Sequence, residues 1–266
     1  MPNEPADTPP RRKTKAGKER LDLLLVERGL AESREKAQAL LLAGEVRVNG
    51  ALAAKAGTQV AKDARIETAG QATRYASRGG HKIEGALDDF GLRVAGRVCM
   101  DVGSSTGGFT DCLLQRGARR VYAVDVSIDQ LDWRLRQDPR VAPVQLNARY
   151  LKPEDVGPEI SLAVMDVSFI SVSKVLPAIV PLAEPGADFL ILIKPQFELE
   201  RRDVGKGGIV REAALHQRAI DRVAASARKE GLTVVGIHPS RVLGSKGNQE
   251  FFLHAKSAAR AASPGD

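Results

Sequence analysis

Cysteine is nearly absent from this 266-residue sequence, with Cys99 and Cys112 the only two. Two thiols cannot build a disulfide framework or a four-cysteine zinc site, so a reducing, cytoplasmic setting is expected. Long apolar runs are missing as well. The longest strongly apolar stretch, from Phe189 to Ile193, falls far short of the roughly 20 residues that cross a bilayer. The first twenty residues hold four prolines and six Lys/Arg and no apolar segment, so no secretory leader is expected. Hydrophobic residues still make up 43% of the chain, which supplies a packed core and excludes wholesale disorder. The length suits one large domain, or a medium domain with a small one.

The formal net charge is +7, and its distribution says more than its total. Residues 1–80 carry 15 Lys/Arg against 10 Asp/Glu, whereas residues 81–266 carry 25 against 23. The basic excess therefore sits in the N-terminal third, as expected where a chain meets a polyanion. Solubility alone would account for the same excess, so charge suggests nucleic acid without proving it.

Residues 1–18, Pro-rich and then basic through Arg11–Lys15, read as a flexible arm. From Arg20, the residues Leu21, Leu24, Leu25 and Arg28 follow helical spacing, and Gly29 stands where the helix would stop. Ser33 is placed to cap a second helix with Ala37, Leu40 and Leu41 on its inner side and Gly44 past its end. Glu45-Val-Arg-Val-Asn-Gly50 then alternates polar and apolar residues and finishes in a hairpin-turn dipeptide. Arg20, Arg34, Lys36 and Arg47 would face phosphates. This helix, helix, hairpin order, with those residues, resembles the small alpha-L RNA-binding domain of the S-four type, over about residues 19–72. That resemblance implies RNA as a partner.

Residues 73–80 read as a linker that includes Ser77-Arg-Gly-Gly80, with Arg78 a further candidate RNA contact. Ser77–Lys82 leads into an expected helix carrying Ile83, Ala86, Leu87 and Phe90 and ended by Gly91. The chain then alternates, with strands expected at 97–102, 120–126, 142–146, 162–167, 188–193 and 232–238. Helices are expected after Thr106, after Asp129, after Ser171 and over 211–230. Such alternation predicts an α/β unit, a parallel sheet covered by helices on both faces, over residues 81–257. Asn248–His254 fits an antiparallel last strand, and residues 258–266 a tail.

The strongest local signal is Asp101-Val-Gly-Ser-Ser-Thr-Gly-Gly108, an apolar strand entering a Gly/Ser loop and then a helix. Ligands bind at the carboxyl ends of parallel strands, and glycines let them approach the backbone. The loop is not a phosphate-binding P-loop, since no Gly-Lys-Ser/Thr follows. A carboxylate at the strand tip would repel pyrophosphate but attract a cationic amino acid or sulfonium group. Asp125, ending the next strand, holds the position that grips ribose hydroxyls. A ligand-free turn and an NAD enzyme remain the competing readings. The acid, glycine loop and second acid resemble the class I (Rossmann-like) S-adenosylmethionine-dependent methyltransferases. That resemblance assigns Asp101 and the loop glycines Gly103, Gly107 and Gly108 to the methionine end of the cofactor, Asp125 to the ribose and Asn147 to adenine. Ser104, Ser105, Thr106, Val126 and Asp166 are further cofactor-binding candidates.

The methylated atom follows from chemistry. Asp166-Val-Ser-Phe169 lacks the Asn/Asp-Pro-Pro-aromatic pattern usual in amino-group methyltransferases. Covalent base-carbon methylation needs an active-site cysteine, and both cysteines fall inside predicted elements. A hydroxyl remains. A ribose 2'-OH is a poor nucleophile and needs a base, or a cation to hold its alkoxide. Lys194, at the tip of an apolar strand and stopped by Pro195, is well placed. A lysine buried near another cation more readily offers a neutral amine.

Lys82, Asp166, Lys194 and Glu250, in that order, form a K-D-K-E tetrad as in the FtsJ-like 2'-O-methyltransferases. Joined to the N-terminal module, the chain over about residues 19–257 resembles the TlyA family. The segments that carry this match are Ser77–Lys82, Asp101–Thr110, Asp166–Ser171, Ile193–Glu198 and Lys246–Glu250. The resemblance implies cytidine 2'-O-methylation in ribosomal RNA within subunits or ribosomes, with 23S rRNA favoured and 16S rRNA open. It implies catalytic roles for the tetrad, S-adenosyl-L-methionine as cofactor and no metal. Tyr75 stands where some relatives carry tryptophan, and residues 1–18 have no counterpart in the pattern. The rival readings are a non-catalytic rRNA-binding assembly factor and a membrane-active haemolysin, the historical label of the family. No segment has the amphipathic pattern the second requires. A pseudouridine synthase often carries the same RNA module but would leave the glycine loop without a purpose.

Overall fold

The structure is a computed structural model that describes residues 17–259 apart from 29, 32, 54, 63, 65 and 69–73. The expected helix stop at Gly29, the arm before residue 17 and the tail beyond residue 259 lie outside the described residues. The chain divides into two compact units, Met1–Ala72 and Thr73–Asp266. Among the described residues no helix is long and apolar enough to cross a membrane.

The first unit runs β1 (Lys18–Arg20), α1 (Leu21–Glu27), α2 (Arg34–Leu42), β2 (Val46–Val48), β3 (Ala51–Leu52), β4 (Gln59–Ala61) and β5 (Ile66–Thr68). Ser33 caps α2 by accepting from the Lys36 amide. Asn49 and Gly50 both take positive φ, 51° and 82°, the conformation that a tight turn between β2 and β3 demands. The leucines of α1 pack on Ala37, Leu41, Val46 and Val60. One charge lies inside this unit. Asp22 is buried and accepts from Arg20, Arg34 and Gln38 at 2.8–3.2 Å. The hydrogen bond from Arg20, reinforced by those from Arg34 and Gln38, outweighs the cost of burial and holds the carboxyl well below the usual range.

The second unit opens with α3 (Gly79–Asp89), β6 (Val98–Val102), α4 (Gly108–Gln115), β7 (Arg120–Asp125), α5 (Trp133–Gln137) and β8 (Val141–Gln145). It continues with β9 (Ile160–Met165), α6 (Leu176–Ile179), β10 (Ala183–Ile193), α7 (Pro195–Glu198), α8 (Ala213–Lys229), β11 (Thr233–Pro239) and β12 (Phe251–Lys256). The seven strands lie in the order β11-β12-β10-β9-β6-β7-β8. Only β12 runs against its neighbours, pairing antiparallel with both β10 and β11. The pleat sends Cys99, Val121, Leu162 and Leu190 to the face that carries Ile83, Leu87 and Leu113. Met100, Val124, Met165 and Ile191 go to the face that carries Val223 and Ala227.

Several elements differ from the sequence expectation. Of the segment read as a linker, residues 74–80 pack into the second unit. Tyr75 is fully buried with its hydroxyl donating to Glu84, and the Ala76 amide donates to Asp111 at 2.8 Å. A Cβ on Gly80 would overlap the Tyr75 ring, so this helix start and the tyrosine exclude anything larger. Helix α3 accordingly begins at Gly79, inside the segment read as a linker. The helices expected after Asp129 and Ser171 are single turns joined by 3₁₀ segments. Pro177 and Pro181 interrupt the second of these with no backbone donor to give.

One buried network fastens the sheet away from the strand ends that carry the candidate site. Asp188 accepts from Arg97 and pairs with His254, each at 2.8 Å, with Lys256 at 3.5 Å. Burial opposes ionisation, but the hydrogen bonds from His254 and Arg97 and the charges of Arg97 and Lys256 prevail. They hold the carboxyl down to about 2. A depressed acid adds stability above its unfolded pKa near 4 and loses it as pH falls towards 2. Asp188→Asn is therefore expected to lower the Tm at pH 7 by roughly 4–8 °C, for a loss of about 2 kcal/mol. The gap from wild type should close between pH 4 and pH 2, and calorimetry across that range checks it.

Candidate active site

The site is built at the carboxyl ends of the parallel strands. Strand β6 delivers Asp101 and then turns at Gly103, which has φ +87°. A Cβ on Gly103 would stand 2.6 Å from the Asp166 carbonyl oxygen, so only glycine lets these two loops meet. Gly107 has φ +94°, and a Cβ there would overlap Leu131 and Leu135. Helix α4 starts at Gly108, and its Thr110 hydroxyl donates to Asp101 at 2.6 Å. Asp101 is wholly buried beneath the loop. Burial pushes its carboxyl up to about 7, with Asp166 and Asp125 adding repulsion and Thr110 working the other way.

Asp125, at the end of β7, accepts from the amides of Ser105 and Ser127 at 2.9 and 3.0 Å. It faces a cleft of about 440 Å³, within the size range of small-molecule sites. Of the residues expected to hold a cofactor, Gly103, Ser105, Asp125, Val126, Asn147 and Asp166 line this cleft. Asp101, Ser104, Thr106, Gly107 and Gly108 do not line it and instead shape the loop. Ser104 is buried, and its Oγ has no hydrogen-bond partner among the described residues. Asn147 uses its side-chain oxygen to cap the Arg149 amide.

The other wall was missed by sequence reasoning. Val124, Leu146, Ala148, Val167, Ser168, Phe169, Ile170 and Val175 complete the lining. Their signal was positional, since they lie at or after the ends of β7, β8 and β9, where ligands of parallel sheets sit. Phe169 is 91% exposed at φ +65°, and its ring lies 5.2 Å from that of Phe197. A bulky residue in left-handed backbone is strained, and such strain gathers at functional sites.

The four tetrad residues meet as two ion pairs. Lys194, ending β10, contacts Asp166 directly and donates to Ser168 Oγ at 2.7 Å. Lys82, on α3, pairs with Glu250 at 2.5 Å, both buried. Register brings the pairs to the same end of the sheet. Ile193 stands opposite Phe251 and Ile191 opposite Met165, so Glu250 and Asp166 flank the strand that ends in Lys194. A Cβ on Gly244 would overlap the Glu250 carboxylate, which confines that side chain. Cys99 and Cys112 lie in the core, where burial pushes their thiols up to about 12 and about 11. Neither offers a thiolate nucleophile.

The candidate RNA contacts are less uniform. Arg20 and Arg34 share the buried Asp22, whereas Lys36 and Arg47 are exposed on α2 and β2. Arg78 is exposed in the second unit.

A strand order with a single reversed strand next to the edge, a glycine loop after the central strand and an acid ending the next define a class I methyltransferase fold. The pattern of the FtsJ-like methyltransferases matches residues 75–257, and that of the S4 domain matches residues 19–66. The chain is 47% identical over 241 residues to YqxC of Bacillus subtilis, a candidate rRNA methyltransferase, covering 89% of this chain and 85% of that one. It is 46% identical over 240 residues to the 16S/23S rRNA (cytidine-2'-O)-methyltransferase TlyA of Mycobacterium tuberculosis, covering 90% of each. A solved structure described as a candidate hemolysin from Streptococcus thermophilus superposes with a TM-score of 0.71 at 42% identity, covering 93% of this chain and 92% of that one. The chain belongs to the FtsJ-like methyltransferase family, in the branch that carries an S4 domain.

The raised Asp101 carboxyl makes a sign-specific prediction. Ionising it costs stability as pH rises from about 4 to about 7, because the folded state holds the proton more tightly. Asp101→Asn should raise the Tm of the ligand-free protein at pH 8 by about 3 °C or more, and by less at pH 5. An equal shift at both values would show that Asp101 is not titrating in the fold.

Proposed function

We propose that this protein transfers the methyl group of S-adenosylmethionine to the 2'-hydroxyl of a cytidine in ribosomal RNA within ribosomal subunits. The observation that carries the reading is the Lys194–Asp166 pair, where Asp166 itself lines a cofactor-sized cleft and no cysteine is available. Relatives named for that reaction over nine-tenths of the chain support it. The cofactor fits on two counts. Gly103 lines the cleft at the point where only glycine lets the loop close onto Asp166, and Ser104 has a buried hydroxyl without a partner among the described residues.

In this reading Asp125 takes the ribose hydroxyls, Asn147 and Val126 flank the adenine, and Ser105 and Asp166 meet the methionine end, with Ser104 buried behind them. Asp101, Thr106, Gly107 and Gly108 hold the loop in shape. Bound there, the cofactor supplies an electrophilic methyl on a sulfonium. Lys194, as the neutral amine, takes the proton from the 2'-hydroxyl and, as the ammonium so formed, holds the negative charge left on the oxygen. Asp166 aims Lys194, and the Lys82–Glu250 pair braces the same strand end. In-line alignment contributes much of the acceleration.

Residues 19–72 serve as the RNA-binding domain, with Lys36 and Arg47 on phosphates and Arg20 and Arg34 sharing their charge with Asp22. Residues 81–257, together with the packed 74–80 segment and its Arg78, form the catalytic domain. Phe169 gives an unstacked base a flat apolar face beside the cleft. A substrate of this kind places the protein in the cytoplasm.

The test is methyl transfer from radiolabelled S-adenosylmethionine to unmodified 30S and 50S subunits and intact ribosomes, with the product nucleoside identified. Label is expected in 2'-O-methylcytidine, and the labelled subunit identifies the target. Cofactor binding without transfer to any of these would favour a non-catalytic rRNA-binding factor. Lys194→Ala should lower turnover by at least about 1000-fold while the cofactor Kd stays within about threefold. Phe169→Ala should raise the KM for RNA by roughly 10-fold, the loss of one base stack, with the cofactor Kd unchanged.

A further inference from the structure

Lysine carries four rotatable bonds and a strongly hydrated head, so one ion pair leaves its amine free to pivot. At Lys194 a second contact removes that freedom. Its Nζ donates to Ser168 Oγ at 2.7 Å while it also touches Asp166. Ser168 also lines the cofactor cleft, so the residue that holds the lysine borders the space where the methyl donor would sit.

Ser168 is itself held from both sides. The Asp166 amide donates to the Val102 carbonyl at 2.9 Å. At the other end the Ser171 hydroxyl and Val172 amide both donate to Glu198, at 2.5 and 2.8 Å. Glu198 is buried, and its backbone carbonyl accepts from Arg222. It follows Lys194 on the turn of α7, and between the two the Phe197 ring meets Phe169. The segments 166–172 and 194–198 are thus fastened to each other at both ends, with Ser168 between the fastenings.

We infer that Ser168 is a positioning residue for Lys194, fixing the direction of its amine towards the 2'-hydroxyl. The inference rests on the methyl-transfer reading above. A hydroxyl is required for this role, and an added methyl group is tolerable, so threonine should serve where alanine does not.

The experiment compares wild type, Ser168→Ala and Ser168→Thr in steady-state methyl transfer to ribosomal subunits, with cofactor Kd and Tm measured alongside. Ser168→Ala should lower kcat by about 10- to 100-fold, as expected when a reacting group is misplaced. Both KM values and the cofactor Kd should stay within about twofold, and threonine should restore kcat to within about threefold. A readout independent of turnover is acylation of Lys194 by a small amine reagent, followed by peptide mass spectrometry. A freed amine should react severalfold faster in Ser168→Ala, and an unchanged rate would overturn the inference. So would a Ser168→Ala variant as active as wild type, or a loss that threonine fails to repair. An inactive wild type would instead overturn the methyl-transfer reading and this inference with it.

Discussion

The contact on which the site depends is the ion pair between Lys194 and Asp166. Its two residues are far apart in sequence and meet because β9 and β10 are parallel neighbours with Ile191 opposite Met165. Side chains that leave two such strands at their carboxyl ends converge over the same edge of the sheet. The largely buried lysine needs a carboxylate beside it, since an unpaired charge there would cost several kcal/mol. That requirement ties the chemistry to the topology. Any shift of β9 against β10 would separate the pair and disfavour itself.

The reversed strand solves a second placement problem. In an all-parallel sheet every strand starts at the end remote from the site. Because β12 is antiparallel to β10, the residue just before it, Glu250, lies where β10 finishes. Lys82 reaches it from α3, whose packing is set by Tyr75 and Gly80. The second ion pair thus links a helix, a loop and the sheet at the same edge. Glycines matter here as points of contact between loops. Gly103 against Asp166 and Gly244 against Glu250 each leave no volume for a side chain.

Much of the fold was legible from sequence because a parallel sheet buried on both faces writes itself as short apolar runs between helices. The strand ends were readable to within a few residues, and so were Asp101, Asp125, Asp166 and Lys194, each an ionisable residue closing an apolar run. The cleft wall of Ser168, Phe169 and Ile170 was marked only as part of the family segment Asp166–Ser171, with no role for its residues. Nothing in that stretch violates local pattern, and its place on the cleft appears only when β9 is set beside β10. The linker reading of 73–80 failed for a related reason. Tyr75 amid polar neighbours looks exposed, yet it fills a space left by Gly80 on the following turn. Asp101 was legible as an acid at a strand tip, but its burial under Thr110 was not, because depth in a loop has no periodicity to betray it.

The charge count illustrates how the same residues can mean different things before and after folding. Arg20 and Arg34 contribute to the N-terminal basic excess, and by composition both were candidates for phosphate contact. In the structure a single buried carboxylate, Asp22, binds both. Their charge is partly neutralised by it. The pairing also does something a free arginine cannot. A guanidinium has five donors in a fixed plane, and a carboxylate engaging one edge sets the direction of those that remain. Asp22 therefore trades part of the positive charge of this face for orientation of its donors, and in the proposed RNA-binding reading that orientation would serve recognition by shape rather than by charge alone.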